Sequence, residues 1–90
     1  MRSFEAFKKK ALKNPAVKRE YDALEAEFAL ARELIGARAK AKLSQAQVAR
    51  RMGTSQSAVA RMESGRKLPS TTSLLKYAKA VGRELRVTLR

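Results

Sequence analysis

The chain has 90 residues, with 21 lysines and arginines against 8 aspartates and glutamates, a net charge of +13, and 44% hydrophobic residues. That length fits one domain with an arm, and that balance fits a folded chain rather than a disordered one. Cysteine and histidine are both absent, which excludes a disulfide framework, a zinc ribbon, a thiol redox pair and the commonest general base. No apolar run approaches ~18 residues, so neither a membrane span nor a secretory signal is expected. A small, cytoplasmic, non-catalytic protein without a cofactor is expected, and the charge points to a polyanionic partner.

The charge is not spread evenly. Residues 1–20 carry seven bases and two acids. Residues 21–33 hold Asp22, Glu25, Glu27 and Glu33 against Arg32 alone, and residues 34–52 hold five bases and no acid. An acidic belt therefore interrupts a basic chain, and two surfaces with different tasks are one reading of it; a solvated acidic helix face is the other.

In chain order, Phe4, Phe7, Ala11 and Leu12 have helical spacing, and Asn14-Pro15 ends that segment and starts the next as N-cap and first helical residue. Val17, Tyr21, Leu24 and Phe28 form one stripe, and Leu30, Leu34, Ala37 and Ala41 continue a helical face. The stretch is one long helix or two with a joint near Ala26. Ser44 and Gln47 have the spacing of a capping box, with Val48, Ala49 and Met52 behind it. Gly53 supplies a turn, Ser55 caps a helix that turns Val59 and Met62 inward, and Gly65 suits its end. Ser70 or Thr71 caps a last helix whose face is Leu74, Leu75, Ala78 and Val81, ended by Gly82. From Arg83 the period changes to two, with Leu85, Val87 and Leu89 alternating with polar residues, which predicts a short β-strand. A lone strand has unpaired edges, and its own copy across a two-fold axis is the economical partner; a frayed tail is the duller reading.

Two short helices around 45–52 and 56–64, joined by a tight turn, carry the chemistry. The exposed start of the second, Gln56 and Ser57 with Arg61 one turn on, is polar, free of acids and able to approach bases closely. Glutamine can pair with adenine and arginine with guanine in the major groove. Arg38 falls on the face that carries Leu34 and is costly there unless paired.

Residues 43–69, L-S-Q-A-Q-V-A-R-R-M-G-T-S-Q-S-A-V-A-R-M-E-S-G-R-K-L-P, resemble the helix-turn-helix of the phage-repressor (XRE) family, and the likeness extends from Leu30 to Gly82. The resemblance implies an all-α, five-helix lambda-repressor-like domain over 29–82, preceded by a helical arm over 1–28 and followed by the strand over 83–90. It implies base contacts from Gln56, Ser57 and Arg61. It also implies backbone contacts from Gln45, Thr54 and Ser55, and an ion pair between Arg38 and Glu63. Arg50, Arg51, Arg66 and Lys67 are added as candidate phosphate contacts from their charge beside the motif. The family often has glycine where this chain has Lys42, so a different helix ending is expected there.

The flanks S-F-E-A-F-K, N-P-x-V-K-x-E-Y-D-A-L-E and L-R-V-x-L are similar to antitoxins of the HigA type, which accompany ribosome-dependent mRNA endonucleases of the RelE/HigB fold. That likeness implies an autoregulating antitoxin, with Phe4, Phe7, Tyr21, Asp22, Glu25 and Glu27 as toxin-binding candidates. The chain has Ala26 where that group commonly has proline, which favours a more continuous helix. Homodimers paired through Leu85, Val87 and Leu89 would read a pseudo-palindromic operator in double-stranded DNA, with recognition helices about 34–36 Å apart. A stand-alone phage-type regulator without a toxin is the alternative. No catalytic set is visible, and the aromatics lie on apolar faces rather than as a platform for single-stranded RNA.

Overall fold

The computed structural model describes residues 13–90; the predicted segment 4–12, with Phe4 and Phe7, lies outside the described residues. Four helices follow in order among those residues: α1 Pro15–Lys40, α2 Gln45–Met52, α3 Gln56–Met62 and α4 Thr71–Ala80. The five-helix count is thus four here, all-helical and with no strand.

Helix α1 starts as its sequence predicts. The Asn14 side chain accepts a hydrogen bond from the Ala16 N–H at 3.0 Å, and Pro15 takes the first turn, where its missing N–H costs nothing. The helix then runs unbroken for 26 residues, about 39 Å at 1.5 Å per residue. There is no joint at Ala26, because nothing there removes a backbone donor. The boundary drawn between residues 28 and 29 falls inside this helix, just before Leu30, where α1 begins to pack on the core.

That core is small. Leu34 from α1, Val48 and Ala49 from α2, Val59 from α3, and Tyr77, Ala80 and Val81 from the end of the chain are buried together. Leu30, Ala37, Ala41, Leu43, Met52, Met62 and Leu74 ring them. The face predicted for the last helix needs one correction. Leu75 is 55% exposed, and Tyr77 is buried in its place at 1%. Tyr77 can take that position because its hydroxyl finds acceptors inside, as a buried phenol requires.

Helix ends follow local chemistry. Ser44 and Gln47 form the reciprocal capping box, with Ser44 Oγ accepting from the Gln47 N–H at 3.1 Å and Gln47 Oε1 accepting from the Ser44 N–H at 2.7 Å. Ser55 and Ser70 cap α3 and α4 through Ala58 and Ser73. The expected departure at Lys42 does not occur. Lys42 adopts the left-handed conformation itself, at φ 58°. Its N–H donates to Ala39 and that of Leu43 to Arg38, the paired closure that usually ends in glycine.

Residues 83–90 form no hydrogen-bonded strand in this chain. Leu85 is half-buried, lining a groove with Leu30, Leu74 and Val81, while Val87 and Leu89 are 76% and 95% exposed. An edge with no second edge beside it cannot form a ladder, so the period-two pattern has no partner within one chain.

Candidate nucleic-acid interface

The turn between α2 and α3 is set by Gly53, which is left-handed at φ 71°, and by the Thr54 N–H bonded to the Ala49 carbonyl at 2.9 Å. Helix α3 buries Val59 completely. Helical spacing then leaves Gln56, Ser57 and Arg61 exposed. The side chains of Gln56 and Arg61 have no hydrogen bond or ion pair with the described residues, and that of Ser57 meets only the Ser55 hydroxyl, at 3.1 Å. A face of polar side chains without internal partners is available to an outside one.

The end of this helix is held by a buried network centred on Glu63, which is 7% exposed. Arg38 grips its carboxylate with two nitrogens, Nε to Oε2 and Nη2 to Oε1, each at 2.9 Å, and donates Nη1 to the Leu43 carbonyl at 3.1 Å. Gln45 Nε2 donates to Oε1 at 3.2 Å. The Tyr77 hydroxyl lies 2.7 Å from Oε2 and 2.8 Å from the Leu34 carbonyl. One carboxylate thus joins α1, the start of α2, the end of α3 and α4. Burial alone would raise the Glu63 pKa, but hydrogen bonds from Arg38, Tyr77 and Gln45 outweigh it and hold the carboxyl below its ordinary value. Burial and the facing carboxylate push the Tyr77 hydroxyl up, so it stays protonated and donating. The hydrogen bond to Glu63 raises the Arg38 guanidinium.

This network also clears the surface. Glu63 is the only acid between residues 34 and 83, and it is buried against Arg38. No carboxylate is left on that stretch to repel phosphate.

The other sequence candidates separate. Arg61 and Lys67 line one open cleft of about 620 Å³ between α3, the 66–70 loop and α4, together with Thr54. Lys76 joins them there. Sequence reading missed Lys76, because α4 offers Lys76 and Lys79 alike on its exposed side and only the packing of α4 against α2, which brings it to the cleft across from α3, selects the first. Arg50 and Arg66 are exposed and lie outside the cleft. Arg51 has a structural partner, donating Nη1 to the Ala80 carbonyl at 2.9 Å and so closing the end of α4. On α1, Asp22 and Glu25 are exposed while Tyr21 and Glu27 are half-buried. Glu25 approaches Arg32 only at 4.0 Å on an open surface, a contact of little energetic weight.

No helix among the described residues is long and apolar enough to cross a membrane. A family model described as helix-turn-helix matches residues 34–87, more than half of the chain. No curated protein and no solved structure matches. The turn, the exposed face of α3 and the matched span agree, and the chain belongs to the XRE-type helix-turn-helix family of DNA-binding transcription regulators.

Proposed function

We propose that this chain is a sequence-specific repressor that reads a pseudo-palindromic operator as a homodimer in the cytoplasm, associated with the nucleoid through that operator. Gln56, Ser57 and Arg61 make the base contacts. Thr54, Ser55, Arg50, Arg66 and Lys67 face the backbone, Gln45 reaches a phosphate while bracing Glu63, and Arg51 adds charge nearby. The observation that carries this reading is the unpartnered polar face of α3, held by a buried carboxylate in a stretch with no other acid. Pairing of Leu85, Val87 and Leu89 between copies would set the spacing of the two recognition helices. The test is selection of bound duplexes from a random pool, followed by Arg61→Ala, which should cost ~1–3 kcal/mol and relax preference at one base pair. Unchanged binding to selected and random DNA would remove α3 as the reading helix. Deletion of residues 84–90 should convert a dimer to a monomer in sedimentation.

The same chain is proposed as an antitoxin that neutralises a RelE/HigB-like toxin and autoregulates its operon. The acidic, partly apolar start of α1, which precedes the matched span, favours this over a stand-alone phage-type regulator. Co-expression with the product of the neighbouring gene tests it: rescue of growth supports the reading, and a neighbour with no toxic effect favours the stand-alone one.

A further inference from the structure

Half of α1 does more than the core requires. Its buried residues are Ala31 and Leu34, yet the helix extends four turns upstream. Along that extension Val17, Leu24 and Phe28 are 38%, 50% and 45% exposed, with half-buried Tyr21 between them and one side of the Phe28 ring resting on Gly65. Their spacing of four, three and four puts them on one stripe, and Ile35 continues it. At 3.6 residues per turn, Glu20 and Glu27 border one side of this stripe, Glu25 borders the other together with Lys18 and Arg32, and Asp22 lies about 130° from its centre.

We propose that this stripe is a docking rail for a basic protein partner. The partner receives Val17, Leu24 and the open side of Phe28 in an apolar groove and meets Glu20 and Glu27 with lysines or arginines. The charge decides the occupant. DNA is repelled by the acidic rim that Glu20 and Glu27 form. A second copy of the chain laid against the stripe would bring Glu20 and Glu27 near the same residues of its neighbour, and like charges in contact oppose pairing. A basic groove satisfies both the rim and the apolar line, as when an amphipathic helix seats in a groove. The inference deepens the antitoxin reading and rests on it only for the partner's identity.

The probe is a short amphipathic peptide of leucine and lysine, with its leucine–glutamate counterpart as control, titrated into the full chain by fluorescence anisotropy. The expected result is binding of the lysine peptide at least about tenfold tighter than the glutamate peptide, with loss of about tenfold in Leu24→Ser. DNA binding by Leu24→Ser should be unchanged, which shows the variant folded. Equal binding of both peptides, no binding of the lysine peptide, or full binding by Leu24→Ser overturns the rail. Selective binding that depends on Leu24, in a chain whose neighbouring gene encodes no toxin, upholds the rail and sinks the antitoxin reading alone.

Discussion

Glu63 holds a position in which a carboxylate is costly unless every oxygen is satisfied, and here Arg38, Gln45 and Tyr77 satisfy them. Removing one partner from such a set strands the others. Glu63→Gln leaves Arg38 without its counter-charge and should destabilise the domain by ~3–5 kcal/mol, read by chemical denaturation. That is a large share of the ~5–15 kcal/mol available to a domain of this kind. Tyr77→Phe keeps the shape and removes one donor to a charged acceptor, so ~1.5–3 kcal/mol is expected. The pH dependence has a definite sign. The folded carboxyl lies below its unfolded value of 4.5, so its contribution is complete above that value and is lost as pH falls through it toward the folded one. Denaturation midpoints followed downward from pH 6 should fall steeply in the wild type and more gently in Glu63→Gln. That Arg38 needs a partner was legible from its place beside Leu34, and the family resemblance pointed to Glu63. Tyr77 was not legible, since nothing local tells an inward tyrosine from an outward one until the carboxylate above it is placed.

At the scale of elements, three helices end with a residue at positive φ, Lys42, Gly53 and Gly82, each followed by a bond reaching back to the carbonyl of five residues before, at Arg38, Ala49 and Ala78. Two of them use glycine. At Lys42 a side chain is held in a conformation that costs ~1–2 kcal/mol for an L-residue. The closure persists because two backbone bonds are made and Leu43 packs on the core. Residue type there suggested a different ending, but the tertiary contact outweighed a local preference of this size. Lys42→Gly should therefore raise stability by about 1 kcal/mol, a gain of roughly 4–8 °C in Tm for a domain of this length. Gly65 gives the opposite case. It is left-handed at φ 73° and buried, and a Cβ there would lie 2.8 Å from Phe28 Cε1. Gly65→Ala should destabilise through both strain and contact, whereas Phe28→Ala with Gly65→Ala should retain the strain alone. A double-mutant cycle in denaturant should accordingly show the two changes to be less than additive.

For the whole molecule, a single number of +13 conceals an arrangement. Four of the eight acids lie on the first half of α1, Glu63 as the one acid of residues 34–83 is buried, and Arg61, Lys67 and Lys76 stand exposed around one cleft at α3. The blocks were legible along the chain, but their grouping was not, because Arg61, Lys67 and Lys76 come to one cleft only when α4 packs against α2. The period-two tail shows the same limit from the other direction, since its pattern described a strand whose partner one chain does not contain. The cleft makes a quantitative prediction. Phosphates neutralised by lysines release counterions, and the logarithm of affinity falls with the logarithm of salt with a slope of about −0.9 per contact on duplex DNA. If Lys76 faces a phosphate from this cleft, Lys76→Ala should weaken binding to the selected operator and to random duplex by the same factor and reduce the slope by about one. Lys79→Ala, on the same helix but outside the cleft, should leave the slope unchanged. The pair controls for net charge, because each removes one positive charge from the same helix. Equal slopes in the two variants would mean that only the overall field of the protein is at work and that the cleft itself holds no phosphate.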